Sequence, residues 1–360
     1  MIGLGLLAIL AVSGCDDGDD KKAVKLPSNL QISVTVNPAN LSEVTVTATA
    51  NDVAYYNFYF GETSPENPVE SLDGTETHTY TSSGTFTIRV NAHATLNDLI
   101  SKTAEVTIEM NVPNEGYESP LTREGYDLVW QDEFSGTSLN TGDWNYEIGT
   151  GSNGWGNNEL QYYRQENTSV SDGFLTITAK QEAFNGRNYT SSRLTTKDKK
   201  EFTYGRIDIR AKVPKGQGIW PALWMLGDNI STVSWPACGE IDIMEMIGGS
   251  NREKTVHGTV HWSDASNSHA QYGGSKTLSE GMYSDKFHVY SIEWNETHIK
   301  WFIDDVFFHQ IDIRPGHLSE FHAPQFFIFN VAVGGNWPGS PNASTVFPQQ
   351  MLVDYIRVFQ

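Results

Sequence analysis

Three carboxylates stand within six residues of an otherwise apolar run: Glu240, Asp242 and Glu245 in GEIDIMEM, residues 239–246. Paired carboxyl groups about 5–5.5 Å apart can cleave a glycosidic bond with retention, one attacking the anomeric carbon while the other protonates the leaving oxygen. The spacing resists this at first, because alternation along a strand puts Glu240 and Asp242 on one face and Glu245, at offset five, on the other. A β-bulge absorbing Met244 would return Glu245 to the face of Glu240 and cut the backbone separation from about 16 Å to about 13 Å, a gap two leaning Glu side chains largely close. Ile241, Ile243 and Met246 would then pack in a core, so the acids must line something concave. Between them, Asp242 would keep Glu240 ionised as nucleophile and help raise Glu245 into a protonated acid, the three titrating as a unit. A solvated acidic face and a hard-cation site are the alternatives.

The elements that must hold these acids are strands. FLTITA (174–179), GRIDIRA (205–211), FHVYSIEW (287–294) and IKWFID (299–304) carry strand patterns, and long helical periodicity is absent, so residues 126–360 are expected to form one all-β sandwich. All ten tryptophans lie at Trp130 or later, which marks a boundary. Before it, residues 24–112 alternate as short strands, such as LQISVTV (30–36) and EVTVTAT (43–49), broken by Asn, Pro and Gly turns. There YTSSGTFTIRV (80–90) resembles the strand pair of PKD-like and other immunoglobulin-like modules, so an N-terminal immunoglobulin-like β-sandwich acting as a spacer is expected. Residues 113–125, polar and rich in Pro and Gly, read as a linker.

A net charge of −20 excludes nucleic acid and anionic lipid surfaces as partners, since those need clustered Lys and Arg; a neutral ligand fits better. The 12% aromatic content suits stacking on sugar faces as well as filling a core. Two cysteines, Cys15 and Cys238, make no disulfide framework, and Cys238 reads as a small buried apolar residue. MIGLGLLAILAVSG (1–14) is too short to span a bilayer as a helix but has the length of a signal-peptide apolar region. VSGC (12–15) resembles the lipobox of bacterial lipoproteins, which implies lipidation at Cys15. The DDGDDKK run that follows, within an acidic tether at 15–23, is similar to the surface-export signal of some Gram-negative lipoproteins. A monomer anchored to the outer membrane and facing outward is the expectation.

The second region resembles glycoside hydrolase family 16, in the bulged, laminarinase-like form. Besides EIDIME (240–245), the resemblance rests on WGNNELQYY (155–163), SSRL (191–194), YGR (204–206), GIWPALWML (218–226) and HGTVHW (257–262), all in family order. It implies a concanavalin-like β-jelly roll of two antiparallel sheets that hydrolyses β-1,3- or mixed β-1,3/1,4-glucan. By the same resemblance Glu240 is the nucleophile, Asp242 its assistant and Glu245 the acid/base. Trp220, Trp224 and Trp235 become sugar platforms, and Asn158, Arg193 and His261 supply hydrogen bonds. Catalysis needs no cofactor. Glu133, Gly173 and Asp354 match positions that hold a structural calcium in many members, through two carboxylates and a carbonyl. The same machinery acting on galactose-based algal polysaccharides, or a glycan-binding protein that keeps the cleft without turnover, are the competing readings.

Overall fold

A computed structural model of the chain describes residues 24–38, 40–62, 66–80, 84–108 and 115–360. The signal peptide, Cys15 and the acidic tether lie outside the described residues. The chain forms two compact units, one drawn from Thr45–His78, Thr87–Val106 and the chain up to Thr35, the other from Thr107–Gln360 with Val36–Val44 and Thr79–Phe86. Among the described residues no helix is long and apolar enough to cross a membrane.

Ahead of residue 109 the strands form two sheets. Ser28–Asn37, Asn40–Asn51 and Thr75–Thr79 make one; Val69–Ser71, Tyr55–Tyr59, Gly84–His93 and Leu99–Ile108 make the other. The alternation read from the sequence is the packing pattern: Tyr56, Phe58, Ile88 and Val90 are buried while Tyr55, Asn57 and Tyr59 are half-exposed.

The all-β expectation for the second unit holds: it is a jelly-roll sandwich of two eight-stranded sheets. The first runs Thr168–Ser171, Phe174–Ala179, Gln349–Phe359, Gly205–Lys212, His288–Trp294, His298–Ile303 and Val306–Asp312, with Leu128–Asp132 also on Gln349–Phe359. The second runs His269–Thr277, Thr255–Ser263, Glu240–Glu245, Ile219–Gly227, Gln325–Val333, Arg193–Thr195 and Asn145–Tyr146, with Glu201–Phe202 also on Gln325–Val333. Between the sheets lies one apolar core, to which Ile207, Ile209, Ile241, Ile243, Ile292, Trp301, Phe327 and Phe329 all contribute. Cys238 is free and buried, as its composition of neighbours suggested.

One expectation is corrected here. From Glu115 onward the stretch read as a linker is built into the second unit. Gly116 bridges Phe287, the Ser119 N–H donates to the Tyr355 hydroxyl at 2.8 Å, and Arg123 pairs with Asp208 at 2.7 Å. The reason lies in Gly205–Lys212: while Ile207, Ile209 and Ala211 face the core, Arg206, Asp208 and Arg210 face the other way, and all three are buried. Charged groups taken from water need partners, and this strap supplies them, including the Tyr117 carbonyl that accepts from Arg210 Nε at 2.7 Å.

Candidate active site

The acids sit on the third strand of the second sheet, and cross-strand register shows how they come to one face. On one side Leu226 stands opposite Glu240, Trp224 opposite Asp242 and Ala222 opposite Glu245; on the other stand His261, Thr259 and His257. Both neighbours advance by two residues per step, while the acid strand advances by two and then by three. The extra residue is the bulge, and it returns Glu245 to the face of Glu240. Its position differs slightly from expectation: Met244 pairs with Leu223, so the residue left without an opposite on that side is Ile243. Ile241, Ile243, Met244 and Met246 are all buried, as a core-facing set should be.

A bulge frees backbone groups from the ladder, and a buried carbonyl left unpaired costs about 1–3 kcal/mol. Trp301, reaching over from the other sheet, donates its indole N–H to the Asp242 carbonyl at 2.8 Å. It can do so because residue 258 is glycine: a Cβ there would lie 2.4 Å from the Trp301 ring.

The acids open into a cleft of about 890 Å³. Arg193, Trp220, Trp224, Trp235 and His261 all line it with them, as do Trp155 and Trp337. The tryptophans do more than offer flat faces. Trp220 Nε1 donates to Glu245 Oε1 at 3.0 Å, and Trp235 Nε1 donates to Glu240 Oε2 at 2.9 Å. Trp224 Nε1 donates instead to Asn330 Oδ1 at 2.8 Å, and Asn330 passes the connection to the Tyr163 hydroxyl, which donates to the buried Glu159. His261 Nε2 lies 3.1 Å from Asp242 Oδ2 and 3.7 Å from Glu240 Oε1.

Two expected sugar contacts have partners within the protein. Asn158 is exposed, is not among the residues lining the cleft, and donates from Nδ2 to Asn336 Oδ1 at 2.9 Å; its left-handed backbone, φ 57°, turns the amide toward that loop. Arg193 is buried, donates to Glu147, and is sandwiched between the Trp155 and Trp224 rings at 4.4 and 4.8 Å. It therefore holds two aromatic walls in place. Sequence reasoning missed Trp155, Asn330, Trp337, His257 and His269. Trp155 and His257 had a local signal, each at the head of a quoted motif; Asn330 and His269 are set by strand pairing, and Trp337 is placed by a turn.

Burial dominates the electrostatics. It pushes Glu240, Asp242 and Glu245 up to about 8 each, with the Asp242 charge adding to both glutamates and His261 opposing it. The site thus retains protons at neutral pH, which an acid catalyst requires. A stability consequence follows. Because the folded carboxyl binds its proton more tightly than the unfolded one, the stability it allows is fully present below about pH 4.5 and is lost as pH rises through about 8. Glu240→Gln, which carries no charge, is expected to leave Tm near the parental value at pH 4 and to raise it by roughly 5 °C or more at pH 8 and above, since each pKa unit is worth about 1.4 kcal/mol. A gain that does not grow with pH would show that burial of this charge costs the fold nothing.

Away from the cleft, Asp354 sits where the strand Gln349–Phe359 changes partner, Val353 pairing with Leu175 and Ile356 with Asp132. Gly173 and Glu133, each adjoining one of those partner strands, are thereby brought toward it. Arg357 holds both Glu133 oxygens, at 2.7 and 2.8 Å, and Arg210 donates to Asp354 Oδ2 at 2.6 Å. Burial raises the Asp354 carboxyl above its ordinary range, and the Glu133 charge adds to this. Nothing lies within 4 Å of a Cβ built on Gly173, so this side of the turn is open. Each carboxylate of the expected calcium set is thus paired with an arginine.

Comparison with known proteins agrees with this fold. A model of glycosyl hydrolases family 16 matches residues 156–357. A second model, for beta-glucan synthesis-associated protein SKN1/KRE6/Sbg1, matches residues 68–240 and so stops short of Asp242 and Glu245. The chain is 42% identical over 252 residues to a beta-glucanase of Rhodothermus marinus, covering 65% of this chain and 85% of that protein. To the clotting factor G alpha subunit of Tachypleus tridentatus it is 44% identical over 237 residues, 65% of this chain but 34% of that one, so it spans about a third of that relative. Among solved structures, the laminarinase catalytic domain from Thermotoga maritima, in complex with cetyltrimethylammonium bromide, is similar with a TM-score of 0.61 and 46% identity, covering 65% of this chain and 98% of that one.

Proposed function

The chain belongs to glycosyl hydrolase family 16, and from that premise we propose that it is a retaining endo-β-glucanase that cuts β-1,3-linked or mixed-linkage β-1,3/1,4-glucan. The observation that carries this reading is the bulged strand, which sets Glu240, Asp242 and Glu245 on one face of a tryptophan-walled cleft. Glu240 attacks the anomeric carbon, forming an ester bond as the glycosidic C–O bond breaks, and Glu245 gives its proton to the departing sugar oxygen. Glu245 then takes a proton from water, which attacks the same carbon and releases the Glu240 carboxylate. Asp242, backed by His261, tunes the charge between them. The acidic chain favours a neutral glucan over a sulfated one, which would call for basic residues.

The test is chromatography of early products from laminarin, mixed-linkage cereal glucan, agarose and carrageenan. An oligosaccharide ladder from the first two alone is expected, and their relative rates give the linkage preference. Cleavage of only the galactans, or retention on glucan without any cleavage, would sink the proposal.

Two further parts of the reading rest on their own residues. A structural calcium would be held by Glu133, Asp354 and the Gly173 carbonyl, tying three segments together. Chelation is expected to lower Tm by a few degrees, restored by added calcium, with kcat unchanged; a Tm indifferent to both removes the metal. A lipid anchor in the bacterial envelope is supported by Cys15 in its lipobox-like setting, and Cys15→Ser should move the protein from the membrane to the soluble fraction.

A further inference from the structure

His269 has no place in the chemistry described so far. It is the first residue of the edge strand His269–Thr277, paired opposite Ser263, and is exposed. Yet it touches two groups that bear on the nucleophile. Its Nε2 lies 2.8 Å from His261 Nδ1, and its ring packs on Trp235 with centroids 4.6 Å apart. Trp235 is the side chain whose N–H donates to Glu240 Oε2, and His261 approaches Glu240 Oε1 and Asp242 Oδ2. Both oxygens of the nucleophile are therefore faced by groups that lean on one residue.

We propose that His269 is a positioning residue that braces Trp235 and His261 together against Glu240, and so keeps the nucleophile's carboxylate stabilised without touching substrate or the reacting atoms.

The physical case is one of exposure. Trp235 is 46% exposed at the cleft mouth, so little protein packing restrains its indole. An N–H that is free to swing loses most of its hydrogen-bond energy, which falls steeply with misalignment. His261 likewise has rotational freedom unless its outer nitrogen is held, and the partner of the outer nitrogen sets which face of an imidazole is presented. Asp242 Oδ2 is buried without a well-formed hydrogen bond, so it depends on where that imidazole points. The titratable groups facing Glu240 are Asp242 and Glu245 from its own strand, His261 from the next, and Cys238 from the preceding turn. Of these contacts only His261, with the Trp235 N–H, favours the ionised form.

The sign of the effect follows. Loosening both partners disfavours the Glu240 carboxylate, so its titration moves to higher pH. His269→Ala is expected to shift the acidic limb of the kcat/KM profile upward by about half a unit to one unit, with kcat on the acid side falling about three- to tenfold, KM little changed, and activity well above the limb near parental. His269→Gln, whose amide can still donate to His261, should restore most of the profile. The same shift is readable in the free protein by ¹³C NMR titration of the Glu240 carboxyl, identified by its loss in Glu240→Gln. That readout needs no substrate, so it separates failure of this proposal from failure of the glucanase reading. An acidic limb and a Glu240 titration both unmoved in His269→Ala overturn the proposal, whatever happens to turnover; a downward shift overturns it equally.

Discussion

Glu240→Ala should lower kcat/KM on glucan by about 10⁴-fold or more while leaving oligosaccharide binding measurable, because the residue proposed to form the covalent intermediate is lost but the aromatic walls of the cleft remain. The stereochemistry of rescue gives the sharper readout. With an activated aryl β-glycoside, added azide can occupy the space of the missing carboxylate and attack the anomeric carbon from the side opposite the leaving group. The product is the α-glycosyl azide, with configuration inverted once. Formation of the β-azide, or turnover that survives the substitution without rescue, would remove Glu240 from the nucleophile's place.

Glu245→Ala should distinguish itself by leaving-group dependence. On glucan the departing oxygen is a poor leaving group and needs a proton, so a loss of about 10³- to 10⁴-fold is expected. On an aryl glycoside with an acidic phenol the first step needs little help, so the glycosyl-enzyme forms and accumulates, and a burst of phenol precedes slow turnover. Azide then attacks that α-linked intermediate from the β face and gives the β-glycosyl azide. Equal losses on glucan and aryl glycoside would show that Glu245 is not the proton donor. Trp220 Nε1 donates to Glu245 Oε1, so under this proposal the tryptophan would orient the acid as well as wall the cleft.

The offset between Glu240 and Glu245 carried a great deal. Two acids that must share a face but stand five residues apart cannot lie on a regular strand, so the sequence announced a bulge before any coordinate did. What it did not contain was the place of the extra residue. Either Ile243 or Met244 satisfies the count, and the choice rests on Leu223 and Trp224 across the ladder, about twenty residues earlier. The support for the bulge was equally hidden: Trp301 and Gly258 look unrelated along the chain and meet only because two sheets face each other.

The misplacements have a common cause. Asn158 was read as a sugar contact, yet a left-handed backbone within a turn rich in Gly and Asn decides where its amide points, and it points to Asn336. Residues 113–125 looked like a linker because Pro, Gly and polar residues usually mark one. From Glu115 onward the packing answers a need created elsewhere, the buried Arg206, Asp208 and Arg210, and composition does not report what a segment lies against.

By itself, then, the sequence determined what is periodic: the alternation that builds the sheets, and the irregularity that three acids at this spacing require if they are to share a face. These are properties of neighbours along the chain, fixed by backbone geometry within a few residues. The tertiary structure alone decided which donors meet Glu240 and Glu245, that Arg193 is clamped between Trp155 and Trp224, and that His269 reaches the site at all. Those contacts join strands distant in sequence, and their register is set by the packing of the whole core, which no local pattern encodes.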